Sequence, residues 1–570
     1  MGSGSEWIYP SSEAEERAAG LAGELGLPVT FALLLVSRGL ISESACRLFL
    51  DPSLSDLHDP WQLKDLPAAV ERIRTAVRSG EKILVLGDYD VDGVTATFVL
   101  ANSLRRLGAR VNFYVPNRLR EGYGLTAKTI DEAARMGVNL IVTVDCGTSS
   151  VDEVAIAASK NIDVVITDHH ALQRRRPEVP AFVNPRRGDC EYPFKELAGV
   201  GVVLKLVQAL GEEFGIGAPI EIVRENLDVV ALGTIADVVP LTGENRILAK
   251  LGLEELRTST RPGLVALREI SRLSNKRLEA SDVSFVLAPR INAAGRLGNP
   301  ESAVRLLTAT DAREAGAIAE SLEEDNTLRK KMDGEALRQA LDMLDCEGGD
   351  GKSALVLSSP SWHPGIIGIV AARLVEKFGR PAALISIEGE KGRGSARAVA
   401  GLDLCEILED CREALITYGG HSYAAGFSLE KQKIDAFSEM FKEAVGVRMK
   451  GLDLEPRINV DSRVAIKDCT ASFVELLDRA SPFGLGNPEP VLAVEDAHLV
   501  APPVSFGKNH IRMIVAQGEY SAECVGFNMG HLLAELSRRG DHLSLACTPV
   551  LNTWRGARKL QLKIKDVKFP

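Results

Sequence analysis

The sequence predicts an α/β fold: two α/β lobes joined by a long helix, plus a C-terminal OB-like β-barrel. Three observations carry this expectation. Short apolar runs rich in β-branched residues alternate with helical patterns between 82 and 170, and again between 353 and 388. A long polar helical pattern (311–345) separates the two regions. From about 455 the chain turns into short strand-like runs divided by turns. At 570 residues it is too long for one hydrophobic core. The expected division is an N-terminal helical segment (1–80) packing on the first lobe, a first lobe (81–270), a connecting region with the long helix (271–350), a second lobe (351–450) and the barrel (455–570).

The elements follow in order. Residues 1–80 read as short helices with polar breaks, and DPSLSDLHDPWQLKDLP (51–67) is a turn-rich linker with two Asp-Pro steps. KILVLGD (82–88), RVNFYVP (110–116), NLIVTVD (139–145) and DVVITDHH (163–170) are strands. Helical patterns alternate with them, which implies βαβ units and a parallel sheet. Residues 196–256 are mainly helical. PRINAAGRLG (289–298) reads as a Gly-rich break with two arginines and no acid. In 311–345 the charge alternation is that of a solvated face, and the length suits a bridge between lobes. SALVLSS (353–359), the helix at 366–379 and PAALISIE (381–388) form the second α/β region. A Gly- and Arg-rich loop, GEKGRGSARAV, follows, and then a Gly-Gly-His turn leading into a strand in ITYGGHSYAAGFSLE (416–430). INVDSRVAI, PVLAVEDAHLV, NHIRMIVAQ, YSAECVGFN, LSLACTPVLNTW and KLQLKIKDV have the spacing of a small all-β barrel.

Composition excludes several classes. Apolar content of 45% and charged content of 25% are those of an ordinary globular protein, and no stretch approaches a membrane span. The N-terminal MGSGSEWIYP lacks the regions of a signal peptide, so a cytoplasmic protein is expected. Nine scattered cysteines form no CxxC and no zinc spacing, and their odd number argues against a disulfide framework. A net charge of −11 speaks against a nucleic-acid partner only in sum, because an acidic chain can still hold a basic groove.

The chemistry concentrates at strand exits. GDYDVDG (87–93) places Asp88, Asp90 and Asp92 at alternate positions directly after an apolar strand. Asp145 ends the strand of TVDCGTSS, and Asp168, His169 and His170 end the next. In a parallel sheet these exits share one edge, beyond which ligands bind. Asp237, at the end of the apolar helix in ALGTIADVVPL, is a further candidate. Any one acid could be a helix N-cap. As a set, such carboxylates repel and raise one another's pKa unless a cation joins them. Oxygen-rich ligands with one or two imidazoles suit Mn²⁺ or Mg²⁺. A calcium loop is excluded, because the twelfth position from Asp88 is Val99 and a strand precedes it. A P-loop is excluded because the position of its first glycine, 346, is Cys. Two-metal hydrolysis of a phosphate ester follows.

GDYDVDG, VDCGTSS, TDHH and ALGTIADVVPL resemble, in order, the four motifs of the DHH phosphoesterase superfamily. PNRLREGYGL (116–125), PRINAAGRLG, WHPGIIGIVAARL (362–374), GRGSAR (392–397), GGHSYAAGF (419–427) and ASPFGLGNPEPVL (480–492) are similar to the RecJ family within it, over nearly the whole chain. The resemblance implies a DHH catalytic domain, a DHHA1 domain and an OB-like nucleic-acid-binding domain. It implies a 5′→3′ exonuclease on single-stranded DNA, acting in repair and recombination with two divalent cations. Asp90 and Asp145 would hold one cation with Asp88 close by, and Asp92, Asp145, His169 and Asp237 the other. Asp168 would orient the histidines, and His170 would contact the scissile phosphate. Where related enzymes carry a His four positions before Asp90, this chain has Leu86.

The same resemblance gives Gly420 and His421 a place beside the phosphodiester. Arg118, Ser395 and Arg397 would bind a 5′-terminal phosphate and so set polarity. Arg290, Asn292 and Arg296 are further substrate candidates, read as loop residues. Arg373 faces either the groove or the surface. Trp554 is either a stacking platform or core. Single-stranded DNA is the expected substrate, and a single-strand-binding protein and a RecQ-type helicase are the partners the family suggests. A monomer without membrane attachment is expected. The competing readings are a DHH phosphodiesterase acting on nanoRNA or cyclic dinucleotides, and a non-catalytic DNA-holding scaffold.

Overall fold

The computed structural model describes residues 5–117, 121–122, 124–173, 175–346, 353–451, 456–554 and 557–569. The chain opens with strand β1 (Glu6–Ile8) and helices α1 (Ser12–Leu25), α2 (Val29–Ser37) and α3 (Glu43–Leu50). Leu21, Phe31, Leu34, Leu35, Cys46 and Leu50 of these helices share one core with barrel residues Leu492, Val494 and Leu545. Helix α4 (Leu66–Ser79) instead buries Leu66, Ala69, Val70 and Ile73 in the first lobe. The expectation that residues 1–80 pack on the first lobe is therefore corrected: the apolar faces of α1–α3 join the barrel core, and only the part from about Leu54 joins the core of the first lobe.

The first lobe is built on β2 (Lys82–Gly87), β3 (Arg110–Tyr114), β4 (Leu140–Val144), β5 (Asp163–Thr167) and β6 (Ala181–Val183). All four pairings are parallel, in the order β3-β2-β4-β5-β6. Helices α5 (Val91–Arg106), α6 (Ala127–Arg135) and α7 (Val151–Ser159) make the crossovers. The chain goes from β2 out to β3 and returns to β4 on the other side of β2. The crevice beyond the C-terminal ends of β2 and β4 is thus a topological switch point. One face of the sheet is covered by α5, α8 (Gly199–Phe214), α9 (Pro219–Ala236) and α10 (Gly243–Thr258). Val200, Val203, Leu206 and Leu210 of α8 bury there, as an apolar stripe three to four residues apart requires.

This core does not stop at residue 270. It runs through α11 (Ala288–Leu297) to Leu322 on the long helix α12 (Ala312–Cys346). The segment 289–298, expected as a Gly-rich break, is α11: Pro289 occupies its first turn, and Ile291 and Ala294 are buried. Gly295 is present for proximity, because a β-carbon there would lie 2.6 Å from the Tyr89 ring. A π-helical turn, Val283–Leu287, leads into α11.

The second lobe contains β7 (Leu355–Ser359), α13 (Ile367–Phe378), β8 (Ala382–Glu388), β9 (Lys391–Arg397), β10 (Thr417–His421), β11 (Ala424–Glu430) and α14 (Ile434–Met449). Its sheet order is β10-β11-β9-β8-β7, with only β7–β8 parallel. Two expectations are corrected here. GRGSAR is not a loop but strand β9, and its Gly394 leaves room for the Phe427 ring, which a β-carbon would approach to 2.0 Å. The Gly-Gly-His triplet is the end of β10 rather than a turn, and the hairpin bends at Ser422–Tyr423.

The third unit begins at β12 (Arg457–Asn459), which pairs with β1, and β13 (Ser462–Arg463). Then come β14 (Leu492–Leu499), β15 (Val504–Phe506), β16 (His510–Gln517), β17 (Tyr520–Gly526), β18 (Leu543–Trp554) and β19 (Ala557–Lys568). The pairings β14-β18-β19-β17-β16, with β16 returning to β14, close five strands into a barrel.

Candidate metal centre and interlobe cleft

Four backbone exits converge on the crevice beyond β2 and β4. After β2 come Asp88, Asp90 and Asp92, and Asp90 N-caps α5 by accepting from the Gly93 N–H at 3.1 Å. The N-cap reading is thus true of Asp90, and it is compatible with a second role for its other oxygen. Asp145 follows β4 with a positive φ of 59°. Asp168, His169 and His170 follow β5. Asp237 C-caps α9.

Side-chain ligand atoms gather in three overlapping sets, each within 4.8 Å: Asp88, Asp90 and Asp145; Asp145, His169 and His170; Asp92, His169 and Asp237. The Nε2 of His169 lies 3.1 Å from Asp145 Oδ1, 3.6 Å from Asp237 Oδ2 and 3.9 Å from Asp92 Oδ2. Asp145 therefore stands between the Asp88–Asp90 side and the His169–Asp237 side. Leu86 points into the core on the α6–α7 face of the sheet, beside Ile141 and Ile166, and brings no polar atom to the crevice.

Asp92 is anchored by α8. Its two oxygens accept the Gly199 and Val200 N–H groups at 2.6 and 2.7 Å, at a helix N-terminus where anions are favoured. Asp168 accepts from the Thr148 N–H at 2.9 Å, the His169 N–H at 2.7 Å and the His170 ring Nδ1 at 2.7 Å. Asn184, fully buried after β6, donates to the His170 carbonyl at 3.0 Å and to Thr148 Oγ1 at 3.2 Å. Sequence reading missed Asn184, whose only signal was its place just beyond a short buried strand.

The electrostatics fit a cation site. Burial, with the Asp90 charge added, raises Asp92 to about 7. Burial and the surrounding carboxylates raise Asp145 and Asp237 well above the usual range. His169 is driven down to about 3 by burial and by His170. A neutral imidazole then faces three carboxylates that resist ionising together, and the arrangement resolves if divalent cations take those oxygens and that nitrogen. His170 behaves oppositely: burial would lower it, but the Asp168 carboxylate outweighs burial and lifts it to about 9. Asp168 in turn is held below its ordinary value, its own burial being overcome by His170.

The second lobe closes over this crevice. The His421 ring at the end of β10 stacks on His170, with centroids 5.8 Å apart and planes 14° from parallel. Gly420 has φ 151°, and a β-carbon there would strike the Ala424 carbonyl at 2.4 Å. On β9, Arg397 Nη1 donates to Ser395 Oγ at 3.0 Å, and both groups lie against Gly368 in the first turn of α13.

Other candidates are held by contacts within the first lobe, with the long helix or across to the second lobe. Arg290 is buried, with Nε 2.6 Å from Glu323 and Nη1 donating to the Val286 carbonyl at 2.6 Å. It is a helix residue braced against α12 rather than the loop cation expected. Asn292 Oδ1 accepts the Val91 N–H at 3.1 Å and so steadies the Asp90–Asp92 turn. Arg296 donates to the Gly365 carbonyl at 3.0 Å, and Arg373 lies 3.1 Å from the buried Asp333 of α12 while staying half exposed. Arg118 lies outside the described residues, as does the side chain of Trp554.

A parallel-sheet lobe with an acid–histidine crevice, capped by a second lobe carrying Gly-Gly-His, defines a DHH-type phosphoesterase. The model of the DHH family N-terminal domain matches residues 82–234, that of the DHHA1 domain residues 351–446, and that of the RecJ OB domain residues 460–566. The "Single-stranded-DNA-specific exonuclease RecJ" of Bacillus subtilis is 38% identical over 555 residues, covering 97% of this chain and 69% of that protein. The crystal structure of RecJ from Thermus thermophilus in complex with Mn²⁺ superimposes with a TM-score of 0.85 at 30% identity, covering 99% of this chain and 80% of that one. Its complex with Mg²⁺ gives a TM-score of 0.79 at 29% identity, covering 99% and 78%. The chain belongs to the RecJ family.

Proposed function

We propose that the crevice is the hydrolytic centre at which this chain, a single-stranded-DNA-specific exonuclease dependent on Mn²⁺ or Mg²⁺, removes nucleotides from a 5′ end. The observation that carries this is the meeting of the two lobes: His421 of the second lobe lies on His170 of the first, directly over the acid cluster. Asp88, Asp90 and Asp145 would hold one cation, and Asp92, Asp145, His169 and Asp237 the other. Bound there, the two ions supply activation of the attacking water and neutralisation of charge on the phosphate. Asp168 keeps the His170 imidazolium charged and oriented toward the phosphate. His421, lowered by burial, offers a neutral donor on the opposite side. Ser395 and Arg397, beside the α13 N-terminus, would receive the terminal phosphate and block the groove beyond it.

The sheet, the second lobe and the barrel support the division into a catalytic domain, a DHHA1 domain and a nucleic-acid-binding domain, joined by α12. A cytoplasmic monomer working in repair and recombination, with a single-strand-binding protein and a RecQ-type helicase as partners, extends the family reading. Among the described residues no single helix is long and apolar enough to cross a membrane. The test is digestion of oligonucleotides labelled at either end, single- and double-stranded, in Mn²⁺ or Mg²⁺. Mononucleotide release from the 5′ label of single strands is expected. Cleavage of dinucleotides alone would exclude the exonuclease reading.

A further inference from the structure

The turn that follows Asp237 is strained, and a segment of the barrel domain holds it. Val238 has φ 62° and is largely exposed. A β-branched residue rarely adopts that conformation, so something around it must fix the turn. Three residues on, the Leu241 N–H donates to the Leu485 carbonyl at 2.7 Å. Leu485 belongs to the 481–488 loop, whose glycines fit against the turn: β-carbons would lie 2.8 Å from Leu241 Cδ1 at Gly484 and 3.1 Å from Pro240 Cβ at Gly486. Gly486 itself has φ 72°. Asn487 is buried and donates to the Ala480 and Pro482 carbonyls at 2.9 and 2.7 Å, closing the loop on itself.

A buried cation locks this loop to the first lobe. Arg246, one turn into α10, donates to the carbonyls of Ser481 at 2.9 Å, Arg479 at 3.3 Å and Phe49 at 3.0 Å, with its guanidinium 3.6 Å from the Phe49 ring. Lys250, one turn further, donates to the Leu50 and Arg479 carbonyls, both at 2.6 Å. Asn245, beside Arg246, donates to the Pro240 carbonyl at 3.1 Å from the other side of the turn. The strained turn is thus gripped between α10 and the barrel's loop, while Asp237 extends from it to within 3.6 Å of His169.

We propose that the 481–488 loop is a positioning element of the metal centre: through Leu485, Gly486 and Arg246 it keeps the Val238 turn closed and the Asp237 carboxylate on the cluster, so that docking of the barrel sets cation affinity. The inference rests on Asp237 being a ligand. Without the loop, the valine relaxes out of the left-handed region and carries the neighbouring carboxylate with it. Arg246 and the loop touch no substrate in this scheme, and they act through Asp237.

The test is calorimetric titration of the full chain with Mn²⁺ alone, without DNA. Gly486→Val places a side chain against Pro240 and strains the loop, and it should weaken one of two Mn²⁺ sites by about tenfold, the scale of an outer partner of a metal ligand. Arg246→Lys, which keeps the charge but loses the fork, should weaken the same site by less. Val238→Gly removes the strain at its source, so Gly486→Val combined with Val238→Gly should regain most of the lost affinity. A role in folding alone would lower the melting temperature of Gly486→Val and leave both Mn²⁺ sites at parental affinity, which would overturn the inference. Failure of Val238→Gly to restore affinity would do the same, and this comparison remains available through Arg246→Lys if Gly486→Val does not fold. Asp237→Ala separates the two readings. Unchanged Mn²⁺ binding in that variant removes Asp237 from the ligand set, and the inference falls with it. Weakened binding there, with parental binding in the loop variants, removes the inference alone.

Discussion

His170 Nδ1 stands 2.7 Å from Asp168 Oδ1, and this pair separates two adjacent histidines into different chemical species. The ion pair lifts His170 to about 9, while burial and the neighbouring His170 charge lower His169 to about 3. At neutral pH one ring is a cation aimed at the cleft and the other a neutral ligand. Asp168→Asn should leave the fold intact, since its neighbours Thr148 and Asn184 remain in place. It should lower turnover by about 10–100-fold, the range for residues that orient metal-site groups. Steady-state rates with circular dichroism check this. Turnover within twofold of parental would rule out the orienting role.

Asp145 links the two sides of the crevice, because it belongs both to the Asp88–Asp90 set and to a set with His169. Asp145→Ala should therefore disturb both cation sites. Expected outcomes are a fall in activity beyond about 100-fold, more than outer partners of ligands give, and loss of Mn²⁺ stoichiometry from two to one or fewer in calorimetry. Asp88→Ala distinguishes a ligand from a prop for Asp90: a ligand predicts loss of one equivalent, a prop an unchanged count with weaker binding.

The cluster also makes stability pH-dependent in a calculable direction. Asp92 has a folded pKa raised to about 7, against about 3.9 for an unfolded aspartate. Between those values the folded chain keeps a proton that the unfolded chain has released. Stability of the metal-free chain therefore falls as pH rises through that window, by about 1 kcal/mol per pH unit for one such carboxylate. His170, raised to about 9, adds stability that is complete below about 6.5 and lost as pH rises toward 9, in the same direction. Mn²⁺ competes with the Asp92 proton and binds more tightly as pH rises through 7. His169, lowered to about 3, opposes this slope below about 6.5. Asp145 and Asp237 are raised as Asp92 is, so thermal melts from pH 5 to 8 in chelator should still slope downward, less so in Asp92→Asn. The melting shift on adding Mn²⁺ should be larger at pH 8 than at pH 6, and a shift independent of pH would contradict the assignment.

The acid set was legible in the sequence because a parallel sheet brings every strand exit to one edge, so Asp88, Asp145 and Asp168 needed no knowledge of side-chain packing. What could not be read depended on another element's approach. Gly295 and Gly394 looked like breaks, yet each marks where Tyr89 or Phe427 comes too close for a β-carbon. Arg290 looked like a free loop cation because Glu323, its partner, lies a helix away. The N-terminal helices announced an apolar face without saying which core it covers, and that core is formed by residues more than 400 positions later. Asn184 carries no motif, and its role exists only where β6 passes beneath the Asp168 loop.

Polarity of digestion should depend on the second lobe rather than on the cation site. Arg397 and Ser395 are joined at 3.0 Å and face the first turn of α13, where Gly368 leaves just enough room: a β-carbon there would stand 2.8 Å from Arg397 Nη2 and 2.9 Å from Ser395 Oγ. A guanidinium, a hydroxyl and helix N–H groups suit a terminal phosphate dianion. Arg397→Ala should raise KM for 5′-phosphorylated single strands by about 10–100-fold, the equivalent of one charge-assisted hydrogen bond. It should leave kcat within a few-fold, because the cation ligands lie on the other lobe. Gly368→Ala should produce part of the same KM defect by displacing the guanidinium, with Mn²⁺ affinity unchanged. Kinetics on matched 5′-phosphate and 5′-hydroxyl oligonucleotides separate the terms. An equal loss on both substrates would assign Arg397 to general strand binding and leave the terminal-phosphate pocket without support.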